Sequence, residues 1–90
     1  MARYKLLFKA SVTKDLRHIP KHDVATILQR IEALTKDPRP SGCEKLSGQE
    51  RYRVRQGDYR IICEIVDDQL VVTVVKIGHR REVYKRLEGE

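Results

Sequence analysis

The residues best able to do chemistry lie in one stretch, Arg51-Tyr52-Arg53-Val54-Arg55-Gln56-Gly57-Asp58-Tyr59-Arg60, which holds four arginines and one acid. It reads as two strands meeting at a Gly-Asp turn. Alternation along the first strand puts Arg53 and Arg55 on one face, with Tyr52 and Val54 on the other. Arg60 enters the second strand, so pairing through the turn gathers three guanidinium groups in one patch. A guanidinium is a permanent cation with a planar fork of donors that matches phosphate. The patch is therefore suited to holding a nucleic-acid backbone and stabilising charge on it. A second basic cluster, His79-Arg80-Arg81-Glu82-Val83-Tyr84-Lys85-Arg86, adds an aromatic ring. Arginine beside an aromatic is the usual combination for single-stranded nucleic acid, since every base has a face to stack on.

An RNA strand brings its own nucleophile in the 2′-hydroxyl. A protein that cleaves it must align that oxygen with phosphorus and stabilise the charge growing on the phosphoryl oxygens. It must also protonate the leaving 5′-oxygen. Arginines suit the second task. His79 is the one side chain in the basic clusters that moves a proton near neutral pH. Nothing in the chain points to a metal or cofactor. His18 and His22 are four apart but separated by Pro20, and read as exposed structural residues. Phosphate-binding glycine loops, dinucleotide fingerprints and nucleophile elbows are absent. Cys43 and Cys63 lack metal-ligand spacing and read as free thiols in a reducing compartment.

A chain of 90 residues is one domain, 1–90, with one modest aliphatic core, for it contains no Trp and one Phe. The charged fraction of 36% and the net charge of +6 favour an anionic partner. No apolar run approaches the roughly 18–20 residues of a membrane span, and the N-terminus lacks a signal-peptide core, so the cytoplasm is the expected location.

The elements that must position the arginines follow from periodicity. Residues 3–9 alternate as a strand, with Tyr4, Leu6 and Phe8 on one face. Ser11 offers an N-cap to a short helix carrying Val12, Leu16 and Ile19. Pro20 is placed as the first residue of a second helix. That helix runs over 21–36, with a stripe of Val24, Ile27, Leu28, Ile31 and Leu34. Residues 37–42 form a loop. Three strands follow, at 51–56, 59–66 and 70–77, joined by short turns into an antiparallel meander that Gly78 ends. In the last two strands the odd positions, Tyr59, Ile61, Cys63 and Ile65, then Val71, Thr73, Val75 and Ile77, belong under the helices. The opposite face carries Arg53, Arg55, Arg60 and Lys76. Neither Arg60 nor Arg80 is expected in the core.

Three segments in order resemble the RelE/ParE superfamily of toxins, most closely its RelE-type members. They are Tyr52-Arg53-Val54-Arg55, then Gly57-Asp58-Tyr59-Arg60-Ile61-Ile62, then Val75-Lys76-Ile77-Gly78-His79-Arg80-Arg81-Glu82-Val83-Tyr84. The resemblance extends from about Lys5 to Arg86. It implies a small α+β fold, an N-terminal strand and two helices packed on one face of an antiparallel sheet. It implies a toxin neutralised by a cognate RelB-like antitoxin, and one that meets operator DNA only as part of the complex with that antitoxin. It further implies an endoribonuclease that cuts mRNA in the ribosomal A site by 2′-hydroxyl attack, without metal or cofactor. The site carried over is Arg53, Arg55, Arg60, Arg80 and Tyr84, with Arg51, Lys76 and Arg81 as added RNA contacts.

One departure bears on mechanism. The best-known members have lysine where this chain has Arg53 and Arg55, and the second is thought to act as the base. Arginine, with a pKa above about 12, is a poor base. Three consequences stand open: Arg55 stabilises an oxyanion only, His79 takes part of the proton transfer, or cutting is slow or absent. The alternative within the superfamily is a ParE-like toxin that inhibits DNA gyrase and has no nuclease site.

Overall fold

The computed structural model describes residues 3–46 and 51–83. Its elements run β1 (Lys5–Phe8), α1 (Ala10–Arg17), α2 (Lys21–Ala33), β2 (Glu44–Lys45), β3 (Arg51–Gln56), β4 (Tyr59–Val66) and β5 (Val71–His79). The five strands form one sheet in the order β1-β5-β4-β3-β2. The meander from β3 to β5 is antiparallel as expected, but β1 pairs with β5 in parallel and makes the sheet mixed. Short turns force antiparallel pairing; β1 is followed by two helices, and a helical crossing leaves a strand able to lie parallel. Leu70 starts that pairing. It has a φ of 55°, rare for a branched residue, and its carbonyl accepts the Lys5 N–H at 2.6 Å.

The helix boundaries shift for local reasons. Lys9, not Ser11, is the N-cap of α1, so Ser11 lies inside the first turn. Pro20 is the N-cap of α2 rather than its first residue. Regular α-helix stops at Ala33, and the N–H groups of Leu34, Thr35 and Lys36 bond to carbonyls three residues back, the tighter winding common at helix ends. Of the expected stripe, Ile27, Ile31 and Leu34 are buried and Leu28 is exposed. The helices cover one face of the sheet through a core of Val12, Ile27, Ile31, Ile61, Val72 and Val74 among others. Phe8, placed on the apolar face of β1, is 46% exposed because β1 is an edge strand.

One irregularity rearranges β5. Ile61 and Ile62 pair with Ile77 and Lys76, yet Cys63 and Ile65 pair with Val74 and Val72, which leaves Val75 without a partner on β4. This β-bulge changes which residues face the helices. Below it the even residues Val72 and Val74 enter the core; beyond it the odd residue Ile77 does. The expected parity of β5 thus holds at Ile77 and is corrected before the bulge, where Val72 and Val74 rather than Val71, Thr73 and Val75 face the helices. Val75 packs instead with Ile62 and Val83 in a small second cluster beside Leu46. β5 also continues to His79, so Gly78 does not end it.

The β3–β4 turn explains Gly57. Its φ is +57° while Asp58 stays on the ordinary side, the arrangement that favours glycine at the first central position of a hairpin turn. A Cβ added there meets nothing within 4 Å, so its penalty is purely conformational. Gly57→Ala should lose about 1–2 kcal/mol in chemical denaturation; an unchanged midpoint would show that the turn relaxes freely.

At the far end of the sheet, Arg39 holds Asp67 with two hydrogen bonds of 3.0 Å and lies 4.7 Å over the Tyr52 ring. Tyr4 donates to the same carboxylate at 2.7 Å. The Arg39 guanidinium, and then the Tyr4 hydroxyl, hold the Asp67 carboxyl below its ordinary 3.8. A depressed folded value gives stability that is present above the unfolded value and is lost as pH falls through the folded one. Asp67→Asn lacks that share. Urea midpoints of the two proteins should therefore differ at neutral pH and converge below about 3.8; a constant gap down to strong acid would contradict it.

Candidate functional site

The pairing of β3 with β4 builds the arginine face. Arg51 lies opposite Glu64, Arg53 opposite Ile62 and Arg55 opposite Arg60. Residues paired across a ladder point to the same side. Their neighbours Tyr52, Val54, Ile61 and Cys63 are in the helix-side core, so the arginines occupy the other side. The expected parity of these two strands is what the structure shows.

The arginines have different surroundings. Arg55 is exposed and has no hydrogen-bond or ion-pair partner among the described residues. Arg53 is half-buried and forms an ion pair with Glu44 of β2, a strand that periodicity missed because only Glu44 and Lys45 belong to it. Arg60 is 8% exposed, against the expectation that it lies outside the core. Like charges directly opposite in a sheet repel, and Arg60 turns its guanidinium away. Its Nη1 donates to the carbonyls of Gly57 and Tyr59, both at 2.9 Å. Arg60 thus braces the turn that follows Arg55.

Arg80 is exposed, and its backbone N–H donates to the Asp58 carbonyl at 2.8 Å, one step beyond the end of β5. That bond sets Arg80 beside the β3–β4 turn and the Arg55–Arg60 pair. Gly78 permits the fold-back that follows: a Cβ there would lie 3.4 Å from the Cβ of buried Val83. Arg81 is exposed, and its N–H donates to His79 Nδ1 at 3.2 Å. Tyr84, with Lys85 and Arg86, lies outside the described residues.

Two expected site residues are elsewhere. Lys76 does not stand on an open face. It is 7% exposed, and its Nζ donates to Asp15 of α1 at 2.8 Å. His79 pairs with Tyr59, and the rings meet edge to face with centroids 6.1 Å apart. It lines a cleft of about 250 Å³ with His18 and Glu82, on the helix side of the sheet. The imidazole is thus on the opposite side from Arg55, which removes it as a proton carrier for the arginine face. Asp15 is the residue that sequence reasoning missed. It is three residues from Val12 and four from Ile19, so a carboxylate falls within the apolar stripe of α1, and that was the available signal.

The thiols are structural. Burial pushes Cys63 up to about 12 and also raises Cys43, so neither is a thiolate nucleophile at neutral pH. Among the described residues no group of three or more His, Cys, Asp or Glu is placed to hold a metal ion. No helix there is long and apolar enough to cross a membrane.

A family model described as the ParE toxin of type II toxin-antitoxin system, parDE, matches residues 6–84. The chain belongs to the RelE/ParE toxin family. Two curated RelE/ParE relatives cover nearly all of it. Toxin RelE3 of Methanocaldococcus jannaschii is 30% identical over 89 residues, 89% of this chain and 94% of that protein. Toxin RelG of Mycobacterium tuberculosis is 25% identical, over 92% of this chain and 98% of its own. In the crystal structure of the archaeal RelE–RelB complex from Pyrococcus horikoshii OT3, a chain 28% identical superposes with a TM-score of 0.78. The match covers 87% of this chain and 96% of that one. The isolated E. coli RelE toxin, 24% identical, shares the RelE/ParE fold with a TM-score of 0.72 over 96% of each chain.

Proposed function

We propose that this chain is an endoribonuclease toxin that cuts mRNA in the ribosomal A site by attack of the RNA 2′-hydroxyl on the adjacent phosphate. The observation that carries the reading is the grouping of exposed Arg55 with Arg80 beside the braced turn, on a sheet side that also bears Arg51 and Arg53. Permanent cations held by strands need little rearrangement as charge develops on the phosphoryl oxygens, which is the condition for electrostatic stabilisation. Arg55 and Arg80 clamp the scissile phosphate. Arg53, released from Glu44, and Arg51 follow the backbone. Arg60 holds the turn rather than the substrate. Tyr84 supplies the stacking ring, and Arg81 adds charge at the rim. With His79 on the other side, the arginine face aligns and stabilises, without metal or cofactor; as the O2′–P bond forms and the P–O5′ bond breaks, solvent takes the 2′-hydroxyl proton and supplies one to the leaving 5′-oxygen.

The partner is a RelB-like antitoxin, supported by the RelE–RelB complexes among the structural relatives. Operator DNA is reached only through that complex, and action on ribosomes places the chain in the cytoplasm. The second reading, gyrase inhibition, is favoured by the ParE description of the matching family model.

One experiment separates them. Ribosomes programmed with a defined A-site codon are incubated with the protein, and supercoiling by gyrase is followed in parallel. The expected result is mRNA cut at the A site with a 2′,3′-cyclic or 3′-phosphate end and gyrase unaffected. Intact mRNA with lost supercoiling would replace this reading by the second.

A further inference from the structure

We propose that Asp15 is a positioning residue for the arginine face, acting by locking the β-bulge that decides whether Arg80 or His79 joins it. This rests on the nuclease reading above for its consequence, though not for its geometry. Its first support is the ladder itself. Beyond the bulge, Arg60 pairs with Gly78 and Tyr59 with His79. Were the Cys63–Val74 register to continue without the bulge, Arg60 would pair with Ile77. Side-chain alternation would then put His79 and Arg81 on the arginine side, and Gly78 and Arg80 on the helix side. One unpaired residue, Val75, therefore selects the side chain that faces the RNA.

The second support is what holds that residue in place. A bulge disrupts the ladder around it, and backbone donors there need other acceptors. The Asp15 carboxylate meets this need with both oxygens. Oδ2 accepts the Ile77 N–H at 3.2 Å, and Oδ1 accepts Lys76 Nζ at 2.8 Å. Lys76 and Ile77 are the two residues directly after Val75. Asp15 is 4% exposed, on a helix whose Val12 is fixed in the core, so the carboxylate is a rigid acceptor. The Lys76 side chain gives the buried carboxylate an opposite charge at 2.8 Å without itself reaching the surface. Asp15 touches no substrate; it sets the strand that presents Arg80.

The test uses two double variants that each remove the buried charges together, so that neither leaves an unpaired ion. Asp15→Asn with Lys76→Met keeps an amide oxygen for the Ile77 N–H. Asp15→Ala with Lys76→Met has no acceptor. Register is read by cross-strand NMR contacts and by the ring contact of Tyr59 with His79; cleavage is read on programmed ribosomes. The asparagine pair should keep the wild-type register and cleave within about threefold of wild type. The alanine pair should remain folded, lose the Tyr59–His79 contact, bring Ile62 opposite Val75, and cleave at least about tenfold more slowly. An alanine pair with unchanged register overturns the proposal. An alanine pair with shifted register and undiminished cleavage overturns its link to the reaction. If wild type itself does not cleave, the nuclease reading fails, while the register measurement still decides whether Asp15 holds the bulge.

Discussion

Arg55→Ala and Arg80→Ala are each expected to slow single-turnover mRNA cleavage on the ribosome by about 10²-fold, while thermal unfolding stays within a degree or two of wild type. Loss of one preorganised group that stabilises transition-state charge typically has this effect. Stability is spared because both side chains are exposed and Arg55 has no partner among the described residues. Lysine replacements should recover only part of the rate, since an ammonium keeps the charge and loses the planar fork. Arg60→Ala is a poorer probe, because removing it frees the Gly57 and Tyr59 carbonyls and loosens the turn. Its loss of cleavage should come with a lower melting temperature. Measured rates for Arg55→Ala and Arg80→Ala equal to wild type would remove the arginine face from the reaction.

Asp15→Ala alone should destabilise the fold by about 3–5 kcal/mol, the usual cost of breaking a buried pair and stranding one charge. For a domain of this size that lowers the melting temperature by roughly 15–30 °C, a large share of a stability on the order of 5–15 kcal/mol. The Lys76 ammonium, 7% exposed, would be left without its carboxylate, and the Ile77 N–H without its acceptor. Lys76→Met in the same chain should restore much of the loss, because an apolar side chain tolerates the site that an unpaired ammonium does not. Urea unfolding of the single and double variants measures both terms. Additive losses would mean that the two residues do not act as a pair.

Much of the fold was legible in local pattern. The period of α2, the alternation of β3 and β4 and the Gly-Asp turn all arise from residues close in sequence, where side-chain direction follows from backbone geometry. The grouping of Arg53, Arg55 and Arg60 on one side could be read for the same reason. β2 could not, because two residues are too short to show a period. The environments of Arg60 and Lys76 could not either. Both were placed by parity, and burial depends on what packs against a strand as well as on the face it presents.

The first half of β5 is the clearest case of limited foresight. Strict alternation puts its odd residues under the helices, which holds at Ile77 and extends to His79. The bulge at Val75 reverses it for the residues before, so Val72 and Val74 enter the core, and the bulge leaves no mark in composition or spacing. Its lock is Asp15, which is 62 residues from Ile77 in the chain.

By itself, then, the sequence determined an α+β chain of strongly basic character with a phosphate-suited arginine stretch, since helix and strand periodicity and net charge are properties of neighbouring residues. Only the tertiary structure decided which cations are available to a ligand, that β1 runs parallel, and which residues of β5 before its bulge enter the core. Those choices depend on register, burial and ion pairs between residues distant in the chain, where one unpaired residue in a strand reverses every side chain beyond it.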